Sequence, residues 1–561
     1  MSDLVLGPLL RYVDDRSAAV WVETARPATV GVVAGDHRAE AATFTAHGHH
    51  YALVCLTDLE PGSRQPYRVE VDGATAWPDP EPEVPGLPDP MIVTLEPGKP
   101  LRLAFGSCRT SVGHDEQGNK SHGVDALRAY ALRMAGLTDT GRDDDPDPGD
   151  GVRWPDLLLF LGDQVYADET TEEMRAFISS RRDIDEPPGT ELKDYQEYAE
   201  LYRLAWTDPV NRWLLSTVPS AMIFDDHDIR DDWNTSQAWK DAMEATDWWH
   251  ERIVSGLASY WVHQHLGNLS PAARAEDEIW QRIQAGETDV TEALDAFADR
   301  VDQHPETYRW SYTRDFDTQA RLVVVDSRNA RVLDPDRRSL LDDDELAWLD
   351  AQLVGGFDHL LVGTSLPFLL AEGLHHVEAF SEAMAGRAWG PRVAELGERI
   401  RQAVDLEHWA AFQDSFNRVC AMTSEVARGE RGRAPTTVTF LSGDVHHSYV
   451  SEARPRQGPA FRSRFLQVVC SPIRNPLPYL MRFATAFSSY GVAGPIGRLV
   501  AHSAKVPDPP LRWRYLGRPW FDNNLATLEV RPGGLRLWWA KGQVEDDVDR
   551  PALVTVHEVT I

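Results

Sequence analysis

Six short, largely apolar runs punctuate residues 101–441, and no other feature limits the possible folds so strongly. They are Leu101-Arg-Leu-Ala-Phe, Leu157-Leu-Leu-Phe-Leu, Ala221-Met-Ile-Phe, Leu322-Val-Val-Val, Leu360-Leu-Val and Val438-Thr-Phe-Leu. Runs of this length without strict alternation are strands buried on both faces. Helical periodicity in 238–265, 341–354 and 405–428 falls among them, an order that predicts an α/β core with helices outside the sheet. The tail (Leu525–Val530, Leu535–Trp539, Leu553–Val559) returns to alternation and is expected to complete a second sheet against the first.

Residues 1–77 follow a different rule. Ala18-Ala-Val-Trp-Val and Thr29-Val-Gly-Val-Val are β-branched runs, and Pro61-Gly62 turns the chain into an alternating strand that starts at Tyr67. The segment Leu56-Thr-Asp-Leu-Glu-Pro-Gly-Ser-Arg-Gln-Pro-Tyr-Arg-Val-Glu-Val resembles the corner of fibronectin type III sandwiches, where the tyrosine hydroxyl bonds back to its own chain. Eight prolines between residues 78 and 100 exclude helix and favour an extended connector. The division expected is a small all-β Ig/fibronectin III-like domain over 1–96 and an α/β domain over 101–561. Stretches near 170–215, 267–305 and 370–430 read as helical insertions framing a pocket. The acidic stretch Asp143–Asp150 lacks the glycine and glutamate of an EF-hand and reads as a solvated loop.

Composition narrows the class. With 88 acidic and 56 basic side chains among 561 residues the formal charge is −32, a field that repels polyanions, so no nucleic acid polymer is expected as a partner. No apolar run nears the ~18 residues of a membrane helix, and no membrane insertion is expected. The first residues lack the basic start and apolar stretch of a signal peptide. Four scattered cysteines (Cys55, Cys108, Cys420, Cys470) make no disulfide framework. Together these predict a cytoplasmic protein, unless a leader precedes the given residues.

The chemistry lies where the strands end. The first run leads to Phe105-Gly-Ser-Cys-Arg and the second to Leu161-Gly-Asp-Gln-Val-Tyr-Ala-Asp. The third leads to Phe224-Asp-Asp-His-Asp-Ile-Arg-Asp-Asp-Trp, the last to Leu441-Ser-Gly-Asp-Val-His-His-Ser. In open α/β folds ligands bind beyond the carboxyl ends of strands. Four such ends deliver Cys108, Asp163, Tyr166, Asp226, His227, Asp444 and His446 to one crevice. Residues 225–232 hold five aspartates, of which Asp228, Asp231 and Asp232 are expected to face solvent. Two like charges 4 Å apart repel by about 4 kcal/mol at an effective dielectric of 20, so converging carboxylates call for bound cations. Carboxylates and a phenolate suit hard ions, while thiolate and imidazole admit iron, manganese or zinc at a neighbouring position. Paired cations suit attack on phosphorus, and they also reverse a field that otherwise repels a phosphate.

In order, Gly-Ser-Cys, Gly-Asp-x-x-Tyr-x-Asp, Asp-Asp-His-(Asp/Glu) and Ser-Gly-Asp-x-His resemble the alkaline phosphatase D (PhoD-like) group of metallophosphoesterases, in which a β-sandwich also precedes the catalytic domain. The resemblance implies a calcineurin-like αββα sandwich that hydrolyses small phosphoesters, with one ferric ion and calcium ions as cofactors. It implies Cys108 and Tyr166 as iron ligands, Asp163 as the bridging ligand, Asp226, Asp444 and His446 as further metal ligands, and His227 as general acid or transition-state donor. Arg109 is assigned to a phosphate oxygen from its position and charge. His375-His376, after the fifth run, offers a further ligand, and His447 a supporting role. Asp231-Asp232 departs from the asparagine frequent in relatives. The sequence has no Gly-x-Ser-x-Gly elbow, His-Glu-x-x-His pair or Walker loop. A non-catalytic, metal-stabilised binding protein and a phosphodiesterase narrow for phospholipid headgroups or nucleotides are the alternatives.

Overall fold

The computed structural model describes residues 4–138, 153–385, 407–477, 493–531 and 533–561, so the Asp143–Asp150 stretch lies outside the described residues. The chain opens with two antiparallel sheets. One is ordered β1 (Leu4–Val13), β2 (Ala18–Thr24), β6 (His49–Leu56), β5 (Phe44–Ala46). The other is ordered β4 (His37–Ala42), β3 (Thr29–Ala34), β7 (Arg64–Val71), β8 (Ala74–Trp77), with β9 (Met91–Val93) also paired to β7. Side chains alternate across a strand, and here both sets are apolar. Leu10, Val20, Val22 and Val54 face Val30, Val32, Val69 and Val71 of the second sheet. Leu6, Leu9, Trp21, Phe44, Tyr51 and Leu53 belong instead to the core of the α/β domain. The first sheet is therefore buried on both faces. Tyr67 does not bond to its own corner: its hydroxyl donates to the Ser216 carbonyl at 2.6 Å, in the helix Pro209–Thr217 of the α/β domain.

The six apolar runs divide between two mixed sheets, three in each. The first sheet is ordered β12 (Ser220–Ile223), β11 (Leu157–Leu161), β10 (Arg102–Gly106), β20 (Leu525–Arg531), β21 (Gly534–Gln543), β22 (Ala552–Thr560). The second is ordered β13 (Tyr312–Phe316), β14 (Ala320–Val325), β15 (His359–Thr364), β16 (Thr437–Ser442), β18 (Arg464–Val469), β17 (Tyr449–Pro455), β19 (Leu511–Tyr515). The tail thus extends the first sheet through an antiparallel β10–β20 pair and builds no second one. Alternation shows the layering: Val324, Leu361, Leu441 and Val468 share a core with Leu159 and Leu161 of the facing sheet. Their neighbours Val323, Val325, Leu360, Val362, Val438 and Phe440 pack outward on the helices Asp343–Gln352 and Gln413–Arg428. This is the αββα sandwich expected.

The stretch 238–265 is not one helix. It breaks into Gln237–Glu244, Trp249–Tyr260 and a π-helical turn, Trp261–His265. Among the described residues no helix is long and apolar enough to cross a membrane, and all four cysteines are free thiols.

Because one sandwich sheet is buried on both sides, removing residues 1–96 should strip the α/β domain of part of its core. Soluble expression and near-ultraviolet circular dichroism of the truncated chain check this; a soluble, natively packed product contradicts it.

Candidate active site

Parallel pairing sets β10, β11 and β12 ending level with one another, and across the sandwich β14, β15, β16 and β18 do the same. The turns that follow interlock by backbone bonds. Cys108 N donates to Gly162 O at 3.3 Å, Arg109 N to Asp163 O at 3.0 Å and Gly443 N to Ser365 O at 2.9 Å. Gly443 is required there, because a Cβ would lie 2.0 Å from Ser107 Oγ, the atom that accepts the Asp444 N–H at 3.0 Å.

The turns are strained at the residues that matter. Cys108, Asp163, Asp444 and His446 adopt left-handed backbone conformations, with φ of 57°, 49°, 66° and 50°. Such conformations in residues other than glycine cost of order 1–3 kcal/mol each and gather at functional sites. The result is a tight acidic cluster. Ligand atoms of Asp163, Asp225, Asp226 and Asp444 all lie within 4.8 Å of one another. Cys108 Sγ stands 3.3 Å from Asp163 Oδ2 and 3.5 Å from the Asp444 carbonyl. The Tyr166 ring lies beside that of His227, with centroids 4.7 Å apart.

Charge compensation around the cluster is incomplete. Buried Arg328 pairs with Asp225, with Glu407 and, at 3.1 Å, with Asp226; Arg331 adds a 3.0 Å pair to Glu407. His408 bridges Glu378 at 2.7 Å and Asp444 at 2.8 Å. Burial pulls its imidazole pKa down, but Glu378 and Asp444 carry it well above the ordinary value. The bond to His408 in turn holds Asp444 below the usual range against its burial. Asp163 has only weaker help, from His227. Burial, then Cys108 and Asp225, push its carboxyl well above the usual range. Burial outweighs Arg328 to do the same for Asp225. The Cys108 thiol is pushed up to about 12 by burial and by Asp444. Burial takes His446 down to about 4, which favours a neutral, ligating imidazole.

These residues fit metal ions. Asp163 Oδ1 and Asp225 Oδ2 are buried without a hydrogen-bond partner. Buried oxygens left in this state are costly unless a cation takes them up. The donor set of carboxylates, thiol, phenol and imidazole suits more than one class of ion. A second, more open group comprises Asp226, His227 and the exposed Asp231.

His227 is held from behind. Its Nδ1 lies 2.9 and 3.0 Å from the two Asp168 oxygens, which leaves Nε2 for the crevice. Burial lowers its pKa, yet Asp168 and then Asp226 raise it well above the ordinary value.

Three expectations need correction. Arg109 does not reach the crevice: its guanidinium donates to Asp125 at 3.1 and 2.8 Å and to the Ala205 carbonyl at 2.8 Å, in a buried ion pair. Asp228 does not face solvent. Its Oδ2 accepts the backbone N–H groups of Asp163 and Asp225, both at 3.0 Å, so it ties two ligand turns together. His375 and His376 lie on the helix Glu372–Ala385, where His375 packs on Phe416 and Trp513. The imidazole at the cluster from that part of the chain is His408. Sequence reasoning also passed over Asp225 and Asp168, although both stand inside quoted motifs. For Arg328 the available signal was its place just after the fourth apolar run; for Glu407 and His408 there was none.

Known proteins bear on this arrangement. The family model described as PhoD-like phosphatase matches residues 151–486, and one described as a domain of unknown function (DUF7800) matches residues 1–88. Cys108 and Arg109 lie outside both. No curated protein sequence matches the chain. A solved structure titled "Structure of PhoD" superposes with a TM-score of 0.62 at 13% identity, covering 100% of this chain and 90% of that one. A maltogenic amylase from S. marinus, with a TM-score of 0.15 at 8% identity over 98% of this chain and 80% of that one, has no bearing on the fold.

Asp168→Asn should keep the fold but release the His227 ring. We expect turnover to fall by about 10–100-fold with little change in KM, the range for losing a partner that orients a site residue. Steady-state kinetics beside a thermal melt check it. A melt unchanged with unchanged turnover would show that His227 needs no such brace.

Proposed function

The chain belongs to the PhoD-like phosphatase family, and on that premise we propose that it hydrolyses small phosphoesters at the Asp163–Asp225–Asp226–Asp444 cluster. It is an alkaline phosphatase D-type hydrolase, and its acidic cluster can hold metal. The observation that carries the reading is the close gathering of four aspartates, three buried and Asp444 half-buried, with unpartnered oxygens among them.

Asp163, Asp225, Asp226 and Asp444 would hold the cations, with Cys108, Tyr166 and His446 at the edges, while His408, engaged at both nitrogens, compensates Asp444. Iron at the thiolate and phenolate and calcium among the carboxylates follow from the resemblance, and manganese or zinc would suit the same donors. When bound, such cations supply Lewis acidity toward a phosphoryl oxygen and toward the attacking water. The chain supplies the rest. Strained turns fix the carboxylates before substrate arrives. Arg328 offsets part of the charge of Asp225, Asp226 and Glu407, and their remaining oxygens are left for ligation. His227, oriented by Asp168, presents Nε2 to the leaving-group oxygen. As the bond from phosphorus to that oxygen breaks and one to the water oxygen forms, the departing alkoxide takes the His227 proton, and the proton that the attacking water loses passes to solvent, from which His227 is reprotonated. Cys108 is fully buried, and in this reading the water acts directly, without a phosphoenzyme. We place the protein in the cytoplasm.

The test is turnover of aryl phosphate mono- and diesters, with elemental analysis before and after chelation. Asp163→Ala should lose metal and turnover together. A parent protein that holds metal but turns over no ester would favour the binding-protein reading.

A further inference from the structure

We propose that the N-terminal sandwich is a working part of the metal centre: Arg11 of β1 holds the π-helical turn Trp261–His265, and that turn holds the ligand turns of Asp163 and Asp225. The inference rests on the metal-centre reading above and goes beyond it by giving the sandwich a role.

β12 ends the first sheet of the α/β domain, and its free edge would be open to solvent were it not covered. Asn268 covers part of it, its side-chain amide accepting from Met222 N at 2.9 Å and donating to Met222 O at 2.7 Å. Arg11 comes from the sandwich into the same place and is fully buried. It donates to Ser220 Oγ at 3.1 Å and Met222 Sδ at 3.3 Å on β12. Its other branch donates to the Gln264 carbonyl at 2.5 Å and to Asn268 Oδ1 at 3.4 Å. Gly267 admits it, since a Cβ there would lie 1.9 Å from Arg11 Nε.

From Gln264 the connection runs inward. Its Nε2 donates to Asp228 Oδ1 at 2.9 Å and to the Tyr202 hydroxyl at 3.0 Å. Asp228 then accepts from the backbone of Asp163 and Asp225. Each link is a short, buried hydrogen bond. The π-turn is what points the Gln264 side chain at Asp228 while its carbonyl points at Arg11, and such turns are frequent at functional sites.

The chemistry of Arg11 argues against mere packing. Among the described residues none of its hydrogen-bond partners is a carboxylate. Burying a guanidinium against neutral groups alone is expensive, and an interface needing only adhesion would be better served by an apolar side chain. The charge is kept where it reaches the strand and the turn that aim the ligand loops. Arg11 and Gln264 are positioning residues: neither stands among the ligand atoms.

Three variants of the full chain test this: Arg11→Met, Gln264→Met and, as a control, Tyr67→Phe, which removes a bond between the same two domains away from the relay. The readouts are the EDTA concentration that removes half the metal, by elemental analysis, kcat and KM for an aryl phosphodiester, and the melting temperature of the metal-free protein. Arg11→Met and Gln264→Met should release metal at about tenfold lower EDTA and lose about tenfold in kcat. KM should stay within about twofold, as for a change that spares substrate binding. Tyr67→Phe should lower the melting temperature and leave metal retention alone, and Arg11→Lys should recover part of the loss. Should Arg11→Met not fold, Gln264→Met decides. Parent-like metal retention and kcat in Gln264→Met would overturn the inference, as would an equal loss in Tyr67→Phe. A parent that binds no metal after reconstitution would remove the metal-centre reading itself.

Discussion

Burying several carboxylates at one point is the constraint around which this protein is built. Asp163, Asp225, Asp226 and Asp444 arrive from both sheets, and Glu407 stands behind them. In a medium of low polarity their mutual repulsion far exceeds what side-chain packing supplies at any one residue. The nearby structure is a set of answers to that repulsion. Arg328 and Arg331 sit within the inner group, His408 is stretched between Glu378 and Asp444, and Asp228 turns Oδ2 toward two backbone N–H groups. What these leave uncompensated is the place for cations.

The same constraint explains why some charged groups are kept out. Arg109 stands next to Cys108, where another cation would compete for the aspartates. It is turned away and closed off by Asp125, whose carboxyl it holds below the usual range against burial. The sandwich belongs to this economy of placement too. Its first sheet lies between two cores: Trp21, Tyr51 and Leu53 join it to the α/β domain, and Val20, Val22 and Val54 join it to its partner sheet. The two domains are one folding problem.

Much of this was legible in the residues themselves. Apolar runs marked the buried strands, and the acids just after them marked the crevice, because a strand end is where the chain leaves the core and can expose a ligand. Strand order was not legible: alternation in 525–559 says that strands form, not which sheet they join, and they joined the first through β10. Hydrogen-bond partners were equally hidden. Asp228 reads as one more surface acid until the N–H groups of Asp163 and Asp225 are seen to converge on it. Arg109 reads as a phosphate ligand until Asp125, sixteen residues on, is seen to claim it. His408 follows no strand and no motif, and only the packing of distant helices brings it to Asp444.

The left-handed turns at Cys108, Asp163, Asp444 and His446 have one more implication. At those four positions the backbone would be more comfortable with glycine or asparagine, so the pressures for a sturdy chain and for a capable one oppose each other there. A selection scheme that rewards heat tolerance alone would drift, at these sites first, toward well-behaved proteins that have forgotten their trade.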